Sequence, residues 1–149
     1  ITTVHHMAFE PARNWRQLAL AASRDGFPLR VWACLDHDHL EAAASLGLAT
    51  GQGGARFTVG GAKFFADGAL GSLTAWMLSP YTGTDTTGVT VHDPDLLRER
   101  FPQALEAGLT VVTHAIGDAA NRAVLDVLEE TRGLWAEQGL RPRLEHAQH

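Results

Sequence analysis

The stretch GLTVVTHAIGD, residues 108–118, determines the fold class of the chain. Its apolar, β-branched part is typical of a buried strand, and the segment after it has Val124, Val127 and Leu128 on one helical face. A buried strand that leads through a short turn into an amphipathic helix is the building unit of parallel α/β sheets. His114 then lies either in the core, as a hydrogen-bonded side chain, or at a strand end, as a ligand.

The same alternation of strand and helix extends over the whole chain. Strands are predicted at 1–4, 29–35, 61–66, within 108–117 and at 141–148, and helices at 11–24, after residue 36 or 38, at 94–107 and from 118 onward. Pro102 is expected to kink or break its helix, and Asp118 to cap the last one. Residues 68–92 show neither a helical nor a strand period of apolar residues, which predicts a loop. A loop of this length more often has a function than not. The pattern predicts one α/β unit with a parallel sheet.

Composition narrows the class of protein. Of 149 residues, 45% are hydrophobic and 19% charged, which is typical of a globular domain. The net charge of −5 argues against a nucleic-acid or anionic membrane partner, and no apolar run is long enough to span a membrane. A single cysteine, Cys34, excludes an internal disulfide and favours a reducing, cytoplasmic location. Eight histidines exceed what such a composition needs and hint at a metal site.

Chemically capable side chains lie at the predicted strand ends, where parallel α/β sheets bind their ligands. In chain order they are His5 and His6, Lys63 with Asp67, His114 with Asp118, and Glu145 with His146. Imidazoles from neighbouring strands are common ligands of zinc-type ions. A lysine desolvated among apolar residues has a lowered pKa, and a neutral amine can take up CO2 as a cation-binding carbamate. The convergence of these residues predicts a metal site.

Each candidate also has a purely structural interpretation. A single strand-end histidine is more often structural than ligating, and a lysine at a sheet edge usually extends its amine to solvent. The stretch His37-Asp38-His39 has the spacing of a metal pair but opens a helix in a polar turn, where capping explains it better. Asp67, directly before Gly68, could simply form a turn. No single residue decides between the two interpretations.

Several longer motifs resemble those of one family. They are GGAKFFADGALGSLTA (60–75) with SPYTGTDTTG (79–88), then HAIGDAANRAVLDVLE (114–129) and RLEHAQ (143–148). In this order they resemble the amidohydrolase superfamily and, more narrowly, amidohydrolase family 3, its YtcJ-like or N-substituted formamide deformylase-like branch. The opening ITTVHHM (1–7) resembles a further block of that family. The resemblance covers nearly the whole chain and specifies a family, not a substrate.

The resemblance implies a fold, a metal site and a reaction. The fold is a metal-dependent hydrolase TIM (β/α)8 barrel, of which residues 1–149 would supply a single segment, about strands 2 to 6. Lys63 would be the strand-4 lysine, commonly carboxylated, and His114 and His146 the strand-5 and strand-6 ligands of one or two divalent ions, expected to be zinc. Metal-activated hydroxide would hydrolyse a C–N bond in a small-molecule, non-peptide amide or an N-acyl or N-formyl amine. Asp67 and Gly68 are expected to contact that substrate.

The resemblance also sets limits. The family's strand-1 His-x-His pair and its general-base aspartate on strand 8 are expected outside residues 1–149, so we expect the N- and C-terminal parts of the barrel to be missing and the segment to be inactive alone. The stretch 37–39 follows the wrong strand to replace the pair. His6 and Leu73 stand where the family commonly has aspartate and arginine.

Two other functions stay open. A non-catalytic barrel fragment would cover its two open sheet edges by forming a homo-oligomer. A metal-free lyase would instead use Lys63 as a Schiff base with a carbonyl substrate.

Overall fold

The computed structural model describes residues 1–8 and 11–149. Five strands form one parallel sheet: β1 (Thr3–His6), β2 (Arg30–Asp36), β3 (Phe57–Phe65), β4 (Thr110–Ala115) and β5 (Arg143–His146). Each strand pairs with the next one along the chain, so the order in space is β1-β2-β3-β4-β5. The predicted α/β class and the parallel sheet are confirmed.

Helices connect the strands. They are α1 (Ala12–Ala22) after β1, the short α2 (Leu40–Ser45) after β2, α3 (Pro94–Glu106) after β3, and α4 (Asp118–Glu130) with α5 (Arg132–Glu137) after β4. Short 3-10 turns lie at His37–His39 and Leu70–Ser72. Within residues 1–8 and 11–149, no helix has the length and apolar character that a membrane crossing needs.

The helices bury one face of the sheet, and the candidate site lies on the other. The main core joins Ala62 and Phe64 of β3 to Phe101 of α3 and Val124 of α4. Because side chains alternate along a strand, Lys63 faces away from this core. The two faces of β3 therefore differ: one packs against the helices, and the other carries Lys63.

A glycine pair in β3 sets which residues face which side. The pairing of β2 with β3 shifts register between Ala33 and Leu35. A Cβ atom at Gly60 would lie 2.9 Å from the Ala33 carbonyl oxygen, and one at Gly61 would overlap the backbone of Thr110. Only glycine permits this close approach on both sides of the strand.

Several predicted boundaries differ from the structure; the first strand, predicted at 1–4, lies at Thr3–His6. Strand β3 begins at Phe57 rather than at residue 61, because pairing with β2 extends it. Helix α3 continues through Pro102, where a break was one expected result; burial of Phe101 and its neighbours offsets the lost backbone hydrogen bond. The predicted Asp118 cap is wrong, since Gly117 is the N-cap of α4 and Asp118 is its first residue.

Candidate metal centre

Three predicted site residues meet at one edge of the sheet. Lys63, His114 and His146 come from the adjacent strands β3, β4 and β5 and line one cavity of about 110 Å³. The ring centroids of His114 and His146 lie 4.6 Å apart. The parallel register brings them together, since Phe65 pairs with His114 and Ala115 with His146. The structure thus brings the three residues to one cavity.

His146 ends β5 in an unusual backbone conformation. Its φ is 80°, and that of the next residue, Ala147, is 45°. Residues other than glycine seldom adopt a positive φ, and where they do, the surrounding structure has to stabilise this backbone conformation. Here the Ala147 amide donates to the Ala115 carbonyl oxygen at 3.0 Å, which anchors the turn to β4. The reversal directly after the strand keeps the His146 ring beside His114.

Lys63 is buried, with only 1% of its surface exposed. Its Nζ donates to the Phe64 carbonyl oxygen at 3.1 Å and lies 4.3 Å from the centroid of the Phe65 ring. Burial lowers the pKa of the amine to about 8, because desolvation penalises the ammonium form. The alternative in which Lys63 extends its amine to solvent is therefore wrong.

Glu145 adds a carboxylate to the same cavity. Its Oε1 lies 2.7 Å from Nη2 of Arg143. The Arg143 guanidinium carbon lies 4.8 Å from the Trp32 ring centroid, and its Nη1 lies 3.3 Å from Nδ1 of His5. Arg143 thus spans the sheet from β5 to β1 and β2. Sequence reasoning noted Glu145 but missed Arg143 and Trp32, although two-residue alternation in RLEH places Arg143 beside Glu145 on one face.

Asp67 follows β3, and none of its side chain is exposed. Its Oδ2 accepts hydrogen bonds from the amides of Trp76 at 2.9 Å and Gly117 at 2.8 Å, and Oδ1 accepts from the Ile116 amide at 3.0 Å. Nε2 of His114 lies 3.3 Å from Oδ1. Burial alone would raise the pKa of this carboxyl, but the hydrogen bonds from His114 and the three amides hold it below its usual value.

Asp67 and Gly68, the predicted substrate contacts, form hydrogen bonds within the protein. The Asp67 carboxylate is surrounded by donors of the protein itself. The Gly68 carbonyl oxygen lies 2.7 Å from Nε2 of His114, and a Cβ atom at this position would overlap the Thr74 hydroxyl. Both residues are directed at His114 or at neighbouring backbone.

The predicted loop between β3 and α3 is tied to the strand ends. At its close, the His92 amide donates to the Phe65 carbonyl oxygen at 2.8 Å, and the Phe65 amide donates to Nδ1 of His92 at 3.2 Å. In its middle, the Leu78 amide donates to Oδ1 of Asp118 at 2.8 Å. Asp118 therefore holds this segment instead of capping α4.

The stretch 37–39 lies on the other face of the sheet. His37 stacks on the core residue Phe64, with ring centroids 5.2 Å apart. Asp36 caps the turn by accepting a hydrogen bond from the Asp38 amide at 2.9 Å, so the capping residue precedes the stretch and does not belong to it. The possible ligand atoms of Asp36, His37 and Asp38 lie within 4.8 Å of one another, a spacing that exposed polar turns reach without a cation.

The chain matches the amidohydrolase family over residues 8–149. The Bacillus subtilis (strain 168) protein named "Putative amidohydrolase YtcJ" is 36% identical over 129 residues, which are 86% of this chain and 23% of that protein. The Arabidopsis thaliana protein LONG AFTER FAR-RED 3 is 41% identical over 92 residues, 61% of this chain and 16% of that protein. The chain therefore spans less than a quarter of the length of either relative.

Two solved structures share the fold, and both are described as uncharacterized metal-dependent hydrolases. The one from Pyrococcus furiosus is 31% identical, with a TM-score of 0.75 over 97% of this chain and 29% of that chain. The one from Pyrococcus horikoshii OT3 is 32% identical, with a TM-score of 0.77 over 97% and 28%. With its five sequential parallel strands forming part of a TIM barrel, the chain belongs to the amidohydrolase family, in amidohydrolase family 3.

Proposed function

We propose that the protein carrying this sequence is a metal-dependent hydrolase of C–N bonds other than peptide bonds. Its substrate is a small-molecule amide or an N-acyl or N-formyl amine. The observation that carries the proposal is the meeting of Lys63, His114 and His146, from three adjacent strands, at one cavity. The family and its metal-dependent relatives support the same reading.

The side chains at this cavity fit a divalent cation. Two imidazoles suit zinc better than the hard cations, which prefer oxygen ligands. Because the pKa of Lys63 is lowered to about 8, part of the amine is neutral near physiological pH. A neutral amine reacts with CO2 to give a carbamate, whose oxygens would complete a mixed nitrogen and oxygen ligand set. We therefore propose zinc and a carboxylated Lys63.

Each residue of the site has a defined task in this proposal. When bound, a divalent cation supplies a nucleophile at neutral pH, since it lowers the pKa of water to about 7, and it polarises the carbonyl group. Lys63, His114 and His146 hold that cation. Phe65 and Met7 line the same cavity and limit the entry of water. The resemblance assigns proton transfer to an aspartate outside residues 1–149, so this segment is proposed to be inactive alone, and the single cysteine favours the cytoplasm.

The test combines metal content with turnover. The protein carrying this sequence, with zinc or manganese and bicarbonate, is assayed against a panel of N-formyl and N-acyl amines. His114→Ala should lose both bound metal and turnover. His39→Ala, which removes an exposed imidazole in the polar turn, is the matched control and should retain both. Turnover no higher than that of His114→Ala, or equal metal content in the two variants, would contradict the proposal.

A second candidate function rests on the same buried amine. A neutral Lys63 could form a Schiff base with a carbonyl substrate and act without metal. Borohydride reduction in the presence of candidate carbonyl compounds would trap such an adduct on Lys63. A trapped adduct, together with activity that survives chelation, would favour this lyase over the hydrolase.

A further inference from the structure

We propose that Asp67 is a positioning residue for His114. It contacts no substrate; together with the Gly68 carbonyl group it fixes the orientation and the tautomer of the imidazole, and it joins that imidazole to residues 66–92. The inference rests on the proposed function in one respect, because it takes His114 as a metal ligand.

The first step concerns the hydrogen on the His114 ring. Nε2 lies 2.7 Å from the Gly68 carbonyl oxygen and 3.3 Å from Oδ1 of Asp67. A carbonyl oxygen only accepts hydrogen bonds, and so does an ionised carboxylate. Both neighbours therefore place the hydrogen of the neutral ring on Nε2 and leave the lone pair on Nδ1. Metal-ligating histidines commonly donate their other ring N–H to such a carboxylate or carbonyl group.

The second step concerns what holds Asp67. Its side chain is entirely buried and accepts from the amides of Ile116 and Gly117, which follow His114 directly after β4. It also accepts from the Trp76 amide, which belongs to residues 66–92. A Cβ atom at Gly117 would overlap the Trp76 carbonyl oxygen, so the two backbones pack with no space for a side chain at position 117. The carboxylate that orients His114 is therefore itself fixed from two sides.

A neighbouring aspartate offers a matched control. Oδ1 of Asp118 accepts from the Leu78 amide at 2.8 Å and so ties the same segment to the start of α4. The same oxygen also accepts from the Ala119 amide, and neither of these two hydrogen bonds involves His114. A change at Asp118 thus loosens the segment as a change at Asp67 does, but leaves the contact to the imidazole in place.

The experiment compares Asp67→Asn with Asp118→Asn in the protein carrying this sequence. Asparagine has the same shape but offers one acceptor oxygen, so Asp67→Asn loses part of the acceptor set around His114 and the amides. Zinc titration should show an affinity about 10- to 100-fold weaker for Asp67→Asn, the range typical of lost outer-shell partners. For Asp118→Asn the change should stay below about threefold. Similar losses in both variants, or no loss in Asp67→Asn, would overturn the proposal.

A second measurement does not depend on the folding of Asp67→Asn or on metal binding. In metal-free wild-type protein at about pH 8, where an ordinary imidazole is neutral, ¹⁵N–¹H correlation spectra report which ring nitrogen carries the hydrogen. The His114 resonances are identified by their absence in His114→Ala. We expect hydrogen on Nε2; hydrogen on Nδ1 would refute the positioning role. If wild-type protein binds zinc no better than His114→Ala, the metal proposal fails, and the spectra still test whether Asp67 and the Gly68 carbonyl group together set the tautomer of His114.

Discussion

At the scale of single residues, Arg143 connects a charged pair to an aromatic ring beside the candidate metal centre. Its guanidinium group lies between Glu145 and Trp32 and also reaches His5. Flat stacking and a two-pronged donor geometry are properties of arginine that lysine lacks. Arg143 therefore fixes the Glu145 carboxylate through both its charge and its shape.

This arrangement predicts different effects for two substitutions at Arg143. Arg143→Ala removes the charge and the stacking and leaves Glu145, only 20% exposed, without its cation. The free energy of unfolding should fall by about 1–3 kcal/mol, which is the cost of a partly buried group that loses its partner. Arg143→Lys retains the charge but not the planar contact with Trp32, so its loss should be smaller. Urea unfolding curves measure both.

Equal losses in the two variants would mean that the retained charge contributes nothing at this position, and no loss in Arg143→Ala would show that the contacts are incidental. Glu129→Ala provides the control, because this exposed carboxylate on α4 pairs only weakly with Arg132, at 3.5 Å. Its removal should change the unfolding free energy by less than about 0.5 kcal/mol.

At the scale of secondary-structure elements, His92 attaches the end of the segment 66–92 to β3. Its Nδ1 accepts from the Phe65 amide, which requires an unprotonated nitrogen. Burial, together with the facing His37, whose ring centroid lies 4.4 Å away, lowers the pKa of His92 to about 4. The charges of Asp36 and Asp38 raise the pKa of His92, and the charge of Lys63 lowers it.

The lowered pKa predicts a loss of stability in acid. In the unfolded chain this histidine has a pKa of about 6.5, so the unfolded state takes up a proton below that pH. In the native state the same proton is taken up only near pH 4, so between these two pH values protonation favours the unfolded state. The unfolding free energy should therefore fall as the pH drops from about 6.5 to about 4. His92→Asn keeps an acceptor for the Phe65 amide without the titration and should flatten this slope in unfolding curves. An unchanged slope would contradict the assignment to His92.

Sequence patterns predicted the elements better than their ends. Two-residue and helical periods located every strand and the long helices, because burial on one face dictates those periods. The ends depend on partners far away in sequence. Asp118 is a residue type typical of an N-cap, yet its side chain accepts from the distant Leu78 amide. Pro102 lies inside a helix because tertiary packing outweighs its low helix propensity.

The sequence pointed to the residues of the candidate site but not to the hydrogen bonds that hold them in place. Lys63, His114 and His146 could be found because each stands near the end of a predicted strand, and parallel strands share one edge. The hydrogen bonds of Asp67 could not, since they join amides 9, 49 and 50 residues away along the chain. No local pattern encodes such distances, so the anchoring of the Asp67 carboxylate could not be predicted from the sequence.

At the scale of the whole molecule, the two outer strands of the sheet determine how residues 1–149 behave when produced alone. Within the described residues, β1 pairs only with β2, and β5 only with β4. Each outer strand has backbone donors and acceptors without a strand partner on its open side, and such edges readily pair with another chain. We propose that this segment self-associates through these edges.

Light scattering after size exclusion should show a mass that grows with protein concentration. The Arg30 amide donates to the Thr2 carbonyl oxygen, so the next residue, Thr3, directs its own backbone to the open side of β1. Thr3→Pro removes an outward donor without breaking the pairing with β2, and should shift the segment toward a monomer. Thr3→Val keeps the amide and serves as the control. A wild-type segment that stays monomeric at all concentrations would show that these edges do not drive association, and equal effects of proline and valine would exclude the β1 edge as the contact.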